Sequence, residues 1–199
     1  MALPLTEYLV LRQAQDDSGG SYVGFDIVKK GVEWCRENIT AGHPNFTFIH
    51  ADIVNPFYNP KGMVAGDAYV FPAKGGEFDF CFATSVFTHM LQGEVERYIK
   101  ETARVARQGG TVFFTFFLIP STAGDSYKTD ACDFKYRLGD ALFYSHKDCI
   151  EAEVGYSEKW VRSLLEHSGL GDIKIYSGRW KDPHGFSYQD IIVARKRGV

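Results

Sequence analysis

Apolar positions along this chain recur in two rhythms that alternate from the amino end to the carboxyl end. Runs such as "YVGFD" (22–26) and "NFTFIHAD" (45–52) are short, apolar and closed by an acid, which predicts strands. "FDFCFATSVF" (78–87) and "TVFFTFFLI" (111–119) are almost continuously apolar, the pattern of strands covered on both faces. Helical spacing appears in "LPLTEYLVLRQAQ", with Leu5, Tyr8 and Leu9 on one face and Pro4 tolerable in a first turn. It returns at Val32, Cys35 and Ile39, and most clearly at Val95, Tyr98, Ile99, Thr102, Val105 and Ala106, a helix that Gly109-Gly110 is predicted to end. "SEKWVRSLLEHSGL" predicts a further helix, with Ser157 as N-cap and Gly169 just past the end. "DIKIYSG" and "SYQDIIVARK" close the chain as strands with no helix between them, hence an antiparallel hairpin.

Two segments keep neither rhythm. Residues 55–77 are rich in proline and glycine, and residues 120–156 are polar and aromatic. The predicted order is therefore α-β-α-β-(loop)-β-α-β-(long loop)-α-β-β. Such alternation gives an α/β fold with a mostly parallel sheet, helices on both faces and a closing antiparallel hairpin.

The bulk properties narrow the function classes. A chain of 199 residues with 45% hydrophobic and 24% charged residues reads as one globular domain. A net charge of -3 offers no general attraction to nucleic acid or anionic membrane. No apolar run is long enough to span a bilayer, and the amino end lacks a basic leader. Cys35, Cys81, Cys132 and Cys149 show no CxxC pairing and read as thiols of a reducing compartment, the cytoplasm.

Ligands of such sheets bind beyond the carboxyl ends of the strands. That rule selects Asp26-Ile27, Asp52-Ile53 and Thr84-Ser85-Val86. A carboxylate at Asp26 can accept both hydroxyls of a ribose. One at Asp52 can accept a purine amino group, with Ile27 and Ile53 packed on the flat ring. Aspartate is also a common turn former, so each has a purely structural alternative. "GGSYVG" (19–24) mimics a phosphate loop, but it precedes a strand instead of following one, and reads as a turn. His89, in "SVFTHM", follows a buried strand at the site rim, where it can serve as a base or bond nearby backbone. The six histidines show no HxxxH spacing and there is no GxSxG elbow, so neither a metal site nor a serine nucleophile is expected.

Taken together, "YVGFDI", "FIHADI", "FDFCFATSVFTHM", "ETARVARQGGTVFFTFFLI" and "YQDIIVARK" resemble the class I S-adenosylmethionine-dependent methyltransferases, over residues of about 3 to 196. The resemblance implies a Rossmann-like sheet and S-adenosylmethionine as cofactor. It gives Asp26 the ribose, Asp52 with Ile53 the adenine, and Ser85, Val86 and His89 the sulfonium end or the acceptor. The implied reaction is methyl transfer to a small-molecule O or N nucleophile, with His89 as the candidate base. Tyr127, Tyr136, Arg137, Tyr144 and His146, in the 120–156 excursion, are candidates for a substrate lid.

The chain departs from the family at its amino end. The first strand and the D/E-x-G-x-G-x-G loop are missing, and "MALPLTEYL" resembles the helix that follows that loop. The domain, residues 1–199, is accordingly expected to be incomplete at its amino end and to lack its central strand. The strands at 22–26 and 78–84 would then face a gap of about 9–10 Å. Unpaired backbone groups there are costly, so the two close up, something else fills the slot, or the chain is a fragment of a longer protein, which is the favoured expectation. Two alternatives differ in class. One is a catalytically silent binding or scaffold module that keeps the fold. The other is an NAD-dependent oxidoreductase, which shares the acid after the second strand but not the closing hairpin.

Overall fold

The computed structural model describes residues 8–13, as backbone, and 20–198. The elements in chain order begin with β1 (Tyr8–Gln13), β2 (Ser21–Asp26), α1 (Lys29–Cys35, running on as a π turn over Arg36–Thr40), β3 (Phe46–His50) and β4 (Phe78–Thr84). There follow α2 (Gln92–Val105), β5 (Ala106–Phe116) and β6 (Leu118–Ile119). Short strands come next: β7 (Tyr127–Lys128), β8 (Asp133–Phe134), β9 (Tyr136–Leu138), β10 (Leu142–Tyr144) and β11 (Val154–Ser157). The chain closes with α3 (Glu158–His167), β12 (Leu170–Tyr176) and β13 (Asp190–Lys196).

The main sheet has seven strands in the order β12-β13-β5-β4-β1-β2-β3. β2 runs parallel to β3 and β4 parallel to β5, while β13 is antiparallel to both β5 and β12. The α/β class and the antiparallel closing hairpin agree with the sequence reading. The interior is apolar and aromatic, with Phe87 stacked on Phe116 at 4.6 Å and edge-on to Phe114 at 5.3 Å.

The slot between β2 and β4 is not empty. β1 occupies it and runs antiparallel to both neighbours, with Leu9 opposite Phe25 and Ala83, and Val10 opposite Gly24 and Phe82. An antiparallel strand thus fills the slot left by the family's first strand, one of the outcomes that the gap allowed, and the helix expected over Tyr8 and Leu9 is corrected. Leu5 lies outside the described residues. The physical reason is the one that made a gap untenable. Two facing rows of backbone N–H and C=O groups outweigh a weak local helical period, and "YLVLRQ" has enough β-forming residues to comply.

A second correction concerns Gly109-Gly110. α2 ends at Val105, and the glycines lie inside β5, where the register against β4 slips between Phe78 and Phe80. Gly109 has φ +72°, and a Cβ on Gly110 would sit 3.1 Å from the carbonyl oxygens of Phe78 and Asp79. These two glycines allow a bulge and a close approach, not a helix stop. Ser157 stands at the N-cap of α3 without a side-chain capping bond, and Gly169, φ +79°, follows that helix as predicted. The excursion 120–156 is better ordered than its composition suggested. β6, β11, β10 and β9 make a second sheet and β7 pairs with β8. Among the described residues no helix is long and apolar enough to cross a membrane.

α2 pins the long loop before β4. The buried Glu101 accepts from Phe71 N–H at 2.8 Å and pairs with Arg104 at 2.7 Å. Arg104 donates on to Ala73 O and Phe71 O, and Arg97 to Tyr69 O. Burial alone would raise the Glu101 carboxyl, but Arg104 and the Phe71 N–H outweigh it and hold it below the usual range. Its stabilising contribution is thus present above the ordinary glutamate pKa and lost as pH falls through the depressed one. We expect Glu101→Ala to cost about 2 kcal/mol at neutral pH, read from the urea midpoint, with the difference shrinking in acid.

Candidate functional site

The carboxyl ends of β2, β3 and β4 open on one cavity of about 40 Å³. β2 delivers Phe25, Asp26 and Ile27. The segment after β3 adds Ile53, Val54 and Asn55. The turn after β4 adds Val86, His89 and Met90, and the first turns of α2 contribute Glu94 and Tyr98. Five residues picked from sequence, Asp26, Ile27, Ile53, Val86 and His89, thus converge. The volume suits one or two waters, so a nucleoside enters only as these walls part.

Asp26 is the most constrained group there. It is 4% exposed, its Oδ1 accepts the Val28 N–H at 2.5 Å, and its Oδ2 has no hydrogen-bond partner among the described residues. Burial pushes its carboxyl up to about 7, against the opposing pull of the Val28 N–H. A buried oxygen without a donor is costly, and it marks where a ligand hydroxyl gains most.

His89 lies on a single 3-10 turn, Phe87–His89. Its Nδ1 is 3.0 Å from the Glu151 carbonyl oxygen. A carbonyl only accepts, so Nδ1 carries the proton and the basic nitrogen of the neutral ring is Nε2. The ring of Tyr58 meets the imidazole edge-on at 6.2 Å. The excursion therefore does reach the site, through Glu151 and through Tyr156, whose hydroxyl donates to Met90 O at 2.6 Å.

Two predicted ligands are placed elsewhere. Asp52 does not line the cavity. Its Oδ1 accepts from Asn59 Nδ2 at 3.1 Å, and its carbonyl takes the Met63 and Val64 N–H groups at 3.0 Å, so it fastens the loop after β3. Ser85 also lies outside the lining. It holds a left-handed backbone at φ +57°, donates its N–H to Thr115 Oγ1 at 2.8 Å, and reaches Gln189 Oε1 at 3.4 Å. That conformation costs a β-substituted residue about 1 kcal/mol and directs the chain sharply from β4 into the His89 turn.

The five lid candidates do not act as a set, and none lines the cavity. Tyr136 and Tyr144 pair across β9 and β10 at 5.2 Å and line a separate depression with Arg137. Arg137 lies 3.5 Å from both Asp125 and Asp140 and 5.3 Å over the Phe143 ring. Tyr127 packs edge-on against Trp180 at 5.8 Å, and His146 is exposed.

Glu94 was missed in the sequence. It is the third residue of α2, and its carboxylate reaches back to the Leu91 N–H at 2.8 Å. Burial raises its carboxyl despite that bond, and the charges of Glu151 and Asp67 add to the rise. The spacing from Leu91 to Glu94 carried the helix-start signal but not the direction in which the helix points.

A mixed sheet, in which only β2–β3 and β4–β5 pair in parallel, carries helices and a buried strand-end acid facing a cavity at the carboxyl ends of its parallel strands, the place where such folds take nucleotide-type ligands. The family follows from the comparison with known proteins: residues 7–114, more than half of the chain, match the methyltransferase domain family. The chain belongs to the class I S-adenosylmethionine-dependent methyltransferases, enzymes whose cofactor is S-adenosylmethionine. Solved structures share the fold at low identity. A methyltransferase from Thermotoga maritima is 13% identical, with a TM-score of 0.52 over 88% of this chain and 72% of that one. One from Mesorhizobium loti is 12% identical, TM-score 0.52, over 87% and 79%. Human N-acetylserotonin methyltransferase, in complex with S-adenosylmethionine, is 13% identical, TM-score 0.50, over 87% of this chain and 40% of that one. The residues present suit the ribose end of the cofactor, because Asp26 Oδ2, without a partner among the described residues, can accept from a hydroxyl.

Proposed function

We propose that the chain, as a single catalytic domain, transfers a methyl group from S-adenosylmethionine to an oxygen or nitrogen of a small molecule. The observation that carries the proposal is Asp26, buried at the cavity with one carboxylate oxygen that finds no donor among the described residues. When bound, the cofactor supplies a methyl carbon that passes to the acceptor's lone pair while the carbon–sulfur electron pair stays on sulfur. Asp26 takes the ribose hydroxyls, and Ile27 and Ile53 cover the purine. The apolar walls Phe25, Val86 and Met90 keep water from the reacting centre. His89 Nε2 takes the acceptor's proton, and the Glu151 carbonyl holds the imidazole in the tautomer that allows it. Four cysteines with no CxxC pairing support a reducing, cytoplasmic setting.

Titration calorimetry with S-adenosylhomocysteine tests the first half of this reading, and binding in the micromolar range is expected. Release of S-adenosylhomocysteine from S-adenosylmethionine in the presence of an acceptor tests the second. His89→Ala is expected to lower that turnover about 100-fold while leaving S-adenosylhomocysteine affinity within twofold. Turnover equal to that of the wild-type chain would remove His89 from the mechanism.

A further inference from the structure

The loop between Ile53 and Val64 keeps apolar side chains in solvent beside the cavity and is tied down at several points. Val54 N–H bonds Val64 O at 2.8 Å, and Asn55 and Asn59 exchange backbone bonds at 3.0 and 3.1 Å. Asn55 Oδ1 accepts the N–H groups of Phe57 and Tyr58, both at 3.0 Å. Asn59 Nδ2 donates to Asp52 Oδ1 and to Ile53 O. With its backbone satisfied in this way, the loop presents Phe57 at 55% exposure and Tyr58 at 40%. Rings held outward by a fixed loop are not gaining stability from burial, and such a patch marks a contact surface.

Its position indicates what the contact is. Val54 and Asn55, at the start of the same loop, line the cavity, and the Tyr58 ring meets His89. The shelf therefore continues the cavity on the side of the base. Electrostatics narrow the ligand further. Among the described residues that line the cavity, Asp26 and Glu94 are acids and none is Lys or Arg. An anionic acceptor would meet no lysine or arginine there and two acidic side chains, leaving the cofactor's sulfonium as its one cationic neighbour among the described groups.

We infer that Phe57 and Tyr58 form an aromatic shelf for the methyl acceptor, and that the acceptor is a planar aromatic molecule, neutral or basic but not acidic. This rests on the methyl-transfer reading above. The ring lies against the shelf, and its oxygen or nitrogen is directed toward His89. The adenine of the cofactor is the other planar ring that could use the loop. The edge contact with His89, the candidate base, favours the acceptor.

The test is a fragment screen by saturation-transfer NMR on the whole chain, with and without saturating S-adenosylhomocysteine. The fragments are aromatic and aliphatic, in equal groups of neutral, basic and acidic. Neutral and basic aromatic fragments are expected to dominate the hits. Their affinity should fall about tenfold in the Phe57→Ala/Tyr58→Ala double variant. Tyr58→Phe, paired with native Phe57, should restore most of the binding. An even spread across chemistries, hits that survive the double variant, or no hits at all would overturn the inference. A drop in S-adenosylhomocysteine affinity in the double variant would assign the shelf to adenine and overturn it too. Failure of the wild-type chain to bind S-adenosylhomocysteine would count against the methyl-transfer reading alone, since the fragment result without it is scored separately.

Discussion

Asp26→Asn is expected to change ligand affinity and stability in opposite directions. The Asp26 carboxyl is raised from 3.8 to about 7 by burial. Between those values the folded chain keeps a proton that the unfolded chain gives up, so stability falls as pH rises from about 4 to about 7. Above pH 7 the folded chain bears the whole cost of a buried carboxylate, up to about 4 kcal/mol for a shift of roughly three pKa units. Asparagine carries no such cost. The variant should therefore melt higher than the wild-type chain at pH 8 and lose that advantage at pH 4. S-adenosylhomocysteine should bind it about 10- to 100-fold more weakly, because hydroxyls that would donate to a carboxylate meet an amide. In the wild-type chain that affinity should itself rise from pH 6 to pH 8, as the ionised form becomes available. In the variant it should be flat. Equal affinities across this range would break the link between Asp26 and the ribose.

The largest stability loss is expected from Asp190→Ala. Asp190 is fully buried at the start of β13 and accepts from four donors. These are Leu118 N–H at 2.8 Å, Gly178 N–H at 2.8 Å, Trp180 Nε1–H at 2.9 Å and Lys181 Nζ at 3.0 Å. The carboxylate joins β6, the loop after β12 and β13 in one place. Its removal leaves a nearly buried ammonium and three N–H groups short of an acceptor. The cost should be about 4 kcal/mol in urea unfolding, against about 0.5 kcal/mol or less for Asp125→Ala, whose side chain is 96% exposed. A loss below about 1 kcal/mol would show that water reaches the freed donors. Asp190→Asn should fall between the two.

These two acids also differ in how well the sequence announced them. Asp26 was legible because a strand-end acid after an apolar run has a place in the fold before any packing is known. Asp190 sits in "YQDII", where it looks like one more acid at the start of a strand, and its four donors come from positions 9 to 72 residues away. Asp52 copies the pattern of Asp26 but stands outside the cavity lining, where Asn59, seven residues on, engages its carboxylate. Glu94 looked like an ordinary helix-start acid until α2 met the ends of β2 and β3. The small strands between Tyr127 and Ser157 are two to four residues long, too short to establish a period of two.

The sequence by itself determined the alternation of strands and helices, the closing hairpin, the family, and the convergence of Asp26, Ile27, Ile53, Val86 and His89. The alternation, the hairpin and the convergence follow from local periodicity and from the rule that ligands meet parallel strands at their carboxyl ends, whereas the family was read from the resemblance of the motifs. Only the tertiary structure decided that Tyr8–Gln13 is a strand, that it runs antiparallel between β2 and β4, and that Asp52 serves a loop. The strand depends on hydrogen-bonding groups brought together from distant parts of the chain, and the role of Asp52 on how the loop after β3 closes back on it. A local pattern such as "YLVLRQ" is compatible with more than one way of satisfying those groups.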